Sequence, residues 1–133
     1  MAGGSANGSP RKVLVVDDEP CLRDAICEAF LDEGYDAKGA ANGDDARKYL
    51  ARAAAPDLIV LDLDMPVMDG VAFHAWLRAQ RPPLGAVPVL LCSASSRLRE
   101  VAKELNVSAY LSKPTLPEPL LDTAKRLIDA RTA

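Results

Sequence analysis

Short unbroken apolar runs alternate along this chain with longer segments of helical periodicity, and that alternation restricts its fold more than any other feature. Val13-Leu14-Val15-Val16 is apolar at every position, and so is Leu58-Ile59-Val60-Leu61. A strand with one face in water alternates apolar and polar side chains, so a continuous run belongs to a strand covered by helices on both faces. Strands of that kind lie in parallel sheets joined by helical crossovers, which points to an α/β chain.

The segments between the runs agree. After the first run, Leu22, Ile26, Ala29 and Phe30 recur at helical spacing, Pro20 suits a first helical turn, and Gly34 ends a helix over 20–33. Residues 35–40 predict a second strand, and Asn42-Gly43 opens a second helix with Ala46, Tyr49 and Leu50 inside. The third strand, 58–61, stops at Asp62-Leu63-Asp64-Met65-Pro66. A third helix begins around Asp69-Gly70, buries Phe73, Trp76 and Leu77, and ends at Pro82-Pro83. His74, the one histidine, is expected on its exposed side.

A fourth strand is predicted over 87–92. Ser96 is the expected N-cap of a fourth helix with Leu98, Val101, Ala102 and Leu105 on one face and Asn106 at its end. Ala109-Tyr110-Leu111 makes a fifth strand, and 117–132 a terminal amphipathic helix.

Composition bounds what such a fold can do. The 133 residues suit one domain, with a Gly/Ser/Ala/Asn-rich disordered tail at 1–10 and a folded body at 11–132. A net charge of −3 and the lack of a Lys/Arg run exclude a nucleic-acid surface, which needs cations to displace phosphate counterions. No apolar run approaches the ~20 residues of a membrane span, and the N-terminus lacks a signal peptide's regions, so a cytoplasmic protein is expected. Cys21, Cys27 and Cys92 lack CxxC spacing and are expected to be reduced thiols.

Polar residues collect where the strands end: Asp17-Asp18 after the first, Asp62 after the third, Ser93 after the fourth, Lys113 after the fifth. The carboxyl edge of a doubly wound sheet holds its functional crevice, and right-handed crossovers would bring these ends together. Carboxylates crowded there repel one another until one is protonated or a cation is captured. Mg2+ suits a hard oxygen set that leaves room for water and phosphate, and no His/Cys set exists for a transition metal. An Asp62 oxygen could then attack a phosphoryl donor, with Lys113 and Ser93 contacting the transferred group.

Taken singly, these residues have plainer readings: Asp17-Asp18 could cap the first helix, Ser93 could be a turn hydroxyl, Lys113 a solvated charge and Tyr110 strand packing. Asp69, placed before Gly70 and an apolar helix, is an N-cap and stays outside the site.

Together, Val15-Val16-Asp17-Asp18-Glu19, Asp62-Leu63-Asp64-Met65-Pro66-Val67-Met68-Asp69-Gly70, Ser93-Ala94 and Lys113-Pro114 resemble the receiver domain of bacterial two-component response regulators over about residues 12–131. The resemblance implies a flavodoxin-like (βα)5 fold with a parallel sheet of order 2-1-3-4-5 and helices on both faces. It implies that Asp62 is the phosphoacceptor, that Asp17, Asp18, Asp62 and the Asp64 carbonyl hold Mg2+, and that Lys113 contacts the phosphate. Ser93 and Tyr110 match the family's switch pair, which changes the face made by the fourth helix, fifth strand and fifth helix. Lys113-Pro114 matches the family's cis peptide, and Thr115 stands where relatives often carry a large apolar residue.

The implied partners are a histidine kinase or phosphotransfer protein upstream, and a downstream protein, or an output domain if the chain is a fragment. A monomer or a weak homodimer through the switch face is expected, with no enzymatic role beyond self-phosphorylation and self-dephosphorylation. Two rivals remain. Asp62-Leu63-Asp64 also resembles the DxD of haloacid-dehalogenase-like phosphatases, although Asp17-Asp18 lies far upstream of Lys113, unlike that family. A receiver-like binding module that is never phosphorylated would keep the fold alone.

Overall fold

The computed structural model describes residues 9–132. Most of the tail expected at 1–10 lies outside them.

Five strands and five helices follow one another: β1 Lys12–Val16, α1 Pro20–Asp32, β2 Asp36–Ala40, α2 Gly43–Leu50, β3 Leu58–Leu61, α3 Gly70–Arg78, β4 Val89–Ser93, α4 Leu98–Leu105, β5 Ala109–Ser112 and α5 Pro117–Thr132, with a 3-10 turn at Leu84–Ala86. The sheet is parallel throughout and runs β2-β1-β3-β4-β5. This is the flavodoxin-like order that the resemblance implies.

Two-residue alternation splits each apolar run between two cores. Leu14, Val16, Ile59, Leu61, Val89 and Leu91 meet Ala46 and Leu50 of α2, Phe73 and Leu77 of α3, and Leu98, Val101 and Ala102 of α4. Val13, Val15, Leu58, Val60, Leu90 and Cys92 meet Ile26 and Phe30 of α1 and Leu120, Ala124 and Ile128 of α5. With helices on both faces, β1, β3 and β4 have no wet side, which is why their sequences do not alternate.

The order reverses beside β1: β2 lies on one side of it and β3 on the other. Crossovers therefore depart to opposite faces, and a crevice opens at the carboxyl ends of β1 and β3. No helix among the described residues is long and apolar enough to cross a membrane.

Three local expectations are corrected. His74 is buried, only 6% exposed, because Gly70, Phe73, His74 and Leu77 share the inner face of α3 while Trp76 lies at its margin. Ser96 does not cap α4: the cap position falls on Arg97, whose amide donates to Ser95 Oγ at 3.1 Å, and Leu98 N donates to the Ser95 carbonyl. β4 begins at Val89, which is in register with Ile59, and Val87 lies before the ladder, separated from it by Pro88, which has no N–H to donate and whose carbonyl accepts from Ile59 N.

Candidate functional site

Strand hydrogen bonding continues one residue past the ends of β1 and β3 and sets their acids side by side. Asp17 N donates to the Ala40 carbonyl at 3.0 Å, and Asp62 N donates to the Val16 carbonyl at 3.0 Å. Lys113 N likewise donates to the Ser93 carbonyl at 2.9 Å, tying the end of β5 to that of β4. Residues distant in sequence thus reach one sheet edge through backbone pairing alone.

The side chains close on one another there. Lys113 Nζ donates to Asp17 Oδ2 at 2.6 Å and to Asp62 Oδ2 at 3.3 Å. Asp17 Oδ1 accepts from Glu19 N at 2.9 Å, and Asp62 Oδ1 from Leu63 N at 2.7 Å. Asp17 and Asp62 are buried, Asp18 is exposed, and carboxylate oxygens of all three lie within 4.8 Å of one another. Glu19 is the cap residue of α1 and its own side chain makes no cap hydrogen bond, so at this helix start Asp17 meets the Glu19 amide while its other carboxylate oxygen meets Lys113.

Electrostatics follow from this crowding. Burial lifts the Asp62 carboxyl above its ordinary value; the Lys113 ammonium opposes the rise and the Asp17 carboxylate adds to it. Burial alone would lower Lys113, but the hydrogen bond to Asp17 and the charges of both aspartates outweigh it and raise the ammonium above its usual range. Lys113 is therefore a fixed cation facing two anions. The oxygen-only donor set, with one acid open to solvent, fits a hard divalent cation such as Mg2+.

Ser93 is almost wholly buried at the end of β4, and its Oγ accepts from Ser95 N at 3.2 Å. Tyr110, on β5 opposite Leu91, is 42% exposed and is in neither core cluster of the described residues. Asp64 is exposed two residues beyond Asp62. Asp69 caps α3 as expected, its Oδ1 accepting from Ala72 N at 2.9 Å. The Lys113–Pro114 peptide is cis.

Two features of the site's surroundings escape sequence reasoning. Val67 adopts φ 68° at the apex of the β3–α3 loop, with Met68 N donating to the Pro66 carbonyl at 2.8 Å. A β-branched residue there is strained, by about 1–3 kcal/mol, and no residue pattern announces a tight turn centred on valine. The second is Arg23, whose Nη1 donates to the Asp17 carbonyl at 2.7 Å. Its one sequence signal is a basic residue one turn into the helix that leaves the acidic strand end.

Residues 13–125 match the family described as the response regulator receiver domain. The chain belongs to that family. As a receiver domain it is similar to that of a signal transduction histidine kinase from Syntrophus aciditrophicus, at 32% identity and a TM-score of 0.81 over 90% of this chain and 91% of that one. It is also similar to the chemotaxis response regulator CheY4 of Vibrio cholerae, at 33% identity and a TM-score of 0.78 over 88% and 98% of the two chains.

Curated relatives of this receiver are longer. The transcriptional regulatory protein PdtaR of Mycobacterium tuberculosis is 32% identical over 105 residues, covering 79% of this chain and 50% of that protein. The protein-glutamate methylesterase/protein-glutamine glutaminase 5 of Anaeromyxobacter dehalogenans is 39% identical over 132 residues, covering 97% and 34%. The chain spans half or less of the length of these two relatives.

Proposed function

We propose that the chain is a phosphoacceptor switch that takes a phosphoryl group from a histidine kinase or phosphotransfer protein onto Asp62. The observation that carries this reading is the pairing of the Lys113 ammonium with both Asp17 and Asp62 inside a three-carboxylate cluster.

In the proposed reaction an Asp62 carboxylate oxygen attacks phosphorus in line, forming an acyl phosphate as the bond from phosphorus to the donor's imidazole nitrogen breaks. Asp17, Asp18, Asp62 and the Asp64 carbonyl would hold Mg2+, which supplies positive charge to the phosphoryl oxygens when bound. Lys113 holds its proton, by the direction of its shift, and offers a second charge from the opposite strand end. The Ser93 hydroxyl, whose oxygen accepts from Ser95 N, has its O–H to donate to the transferred group.

In the same proposal the signal leaves through Tyr110 and the face formed by α4, β5 and α5, toward a downstream protein, an output domain or a second copy. Phosphate biases that face only through the difference in its contacts with the two conformations. The site performs no chemistry beyond its own phosphorylation and hydrolysis, and the compartment is the cytoplasm.

Intact-mass measurement after incubation with acetyl phosphate and Mg2+ tests the proposal. The wild-type chain gains one phosphoryl group, and Asp62→Ala and a chelated sample gain none. No gain in the wild type would favour a binding module that is never phosphorylated. Sustained release of phosphate from an aryl phosphate monoester would favour the phosphatase.

A further inference from the structure

The carbonyl that Arg23 grips belongs to the peptide joining Asp17 to Asp18, so its orientation governs how the second acid leaves the first. Every other polar group of Asp17 is already engaged: its amide with Ala40, its carboxylate with Glu19 N and Lys113. Asp18 is exposed, and among the described residues no hydrogen bond holds its carboxylate. What aims Asp18 at Asp17 and Asp62 is therefore its backbone, and the 2.7 Å bond from Arg23 Nη1 fixes that backbone from the side of α1.

A second observation, on a different element, points the same way. Gly39 lies inside β2, in register with Val15 of β1. A strand interior disfavours glycine, which adds backbone entropy to the unfolded chain and packs nothing. Here a Cβ would stand 3.0 Å from Arg23 Cδ, 3.1 Å from Cγ and 3.3 Å from Nε. The strand leaves free the space that the arginine stem occupies, and the stem crosses it to reach the end of β1.

We infer that Arg23, seated on Gly39, is a positioning residue for the cation site: it locks the Asp17–Asp18 peptide so that the three carboxylates converge before an ion arrives. The inference rests on the reading that these carboxylates bind Mg2+. Groups that orient metal ligands without touching the metal typically matter by ten- to hundredfold in affinity. Charge acts in the opposite direction, since a guanidinium near the site repels a divalent cation, and its removal would by charge alone tighten binding. The two effects differ in sign, which makes the inference decidable.

Calorimetric titration of the full chain with Mg2+ supplies the test, on wild type, Arg23→Ala, Arg23→Lys, Gly39→Val and Asp18→Asn. Arg23→Ala and Gly39→Val are expected to bind Mg2+ about tenfold more weakly, with Arg23→Lys between them and wild type because lysine keeps the charge but loses the planar fork. Gly39→Val keeps the arginine, and valine suits a strand, so its urea midpoint is expected at or above that of wild type. A merely structural role would make affinity follow stability, whereas positioning separates them.

Wild-type or tighter Mg2+ binding in both Arg23→Ala and Gly39→Val overturns the inference. If Gly39→Val does not fold, the sign of the change in Arg23→Ala decides. If the wild type binds Mg2+ and Asp18→Asn does not while the arginine variants match wild type, positioning alone is wrong. If the wild type takes up no Mg2+, the functional reading falls and positioning falls with it.

Discussion

Burial acts differently on the ionisable groups of this chain according to what stands beside each. Cys92, in the core under α1 and α5 and next to Ser93, is pushed up to about 11 by burial, so it remains a thiol at neutral pH and is no nucleophile. His74 has no such neighbourhood to absorb a charge. Its Nε2 is buried with no hydrogen-bond partner among the described residues, and burial, with Arg78 in support, holds the imidazole below its ordinary value of 6.5. Below that value the unfolded chain binds a proton that the folded chain refuses, so stability holds above it and declines as pH falls. Urea denaturation from about pH 7.5 down to about pH 5.5 should show wild type losing up to about 1.4 kcal/mol per pH unit more than His74→Leu, and parallel curves would refute it. Sequence phase could not place this residue. Phe73, Trp76 and Leu77 satisfy helical spacing as well as Phe73, His74 and Leu77 do, and the fold buries the second set on the side where Gly70 lies against Asp62 and Leu63.

Elements begin where a side chain or a close contact fixes them. Asn42 and Asp69 each accept from the amide three residues on, so the starts of α2 and α3 were legible as polar residues before a glycine. The start of α4 was not, because Ser95 and Ser96 are chemically equivalent and only the fold shows that Ser95 takes the Arg97 amide. Gly70 opens α3 for a reason that helix preference cannot supply: a Cβ there would collide with the Asp62 carbonyl and stand 2.9 Å from Leu63 Cα. Alanine favours a helix over glycine by about 1 kcal/mol, yet Gly70→Ala is expected to destabilise by about 1–3 kcal/mol in urea denaturation. It should also disturb the loop that carries Asp62. A more stable variant would mean that the loop moves aside at little cost.

At the scale of the molecule, the apolar runs announced a parallel sheet, but nothing in their periodicity orders five strands. The order came from the residues at the strand ends, which resemble a family whose sheet is known. Geometry around those residues was less legible: that Lys113 touches two acids and that Tyr110 faces outward depend on backbone pairings between distant segments. If the acidic cluster binds Mg2+, the ion adds to the stability of the whole chain by mass action. Mg2+ at a hundred times its dissociation constant should stabilise the wild type by about 2.7 kcal/mol, read as a rise in melting temperature that a chelator reverses and Asp18→Asn lacks.

β1 is held between residues 36–40 on one side and 58–61 on the other. During synthesis it emerges with both hydrogen-bonding edges open, and the second edge closes only after Leu61 has been added. Such distant pairings slow folding relative to chains built from local contacts. For that interval Val13–Val16 is a naked apolar edge, the place where two newborn copies are most apt to stick to each other.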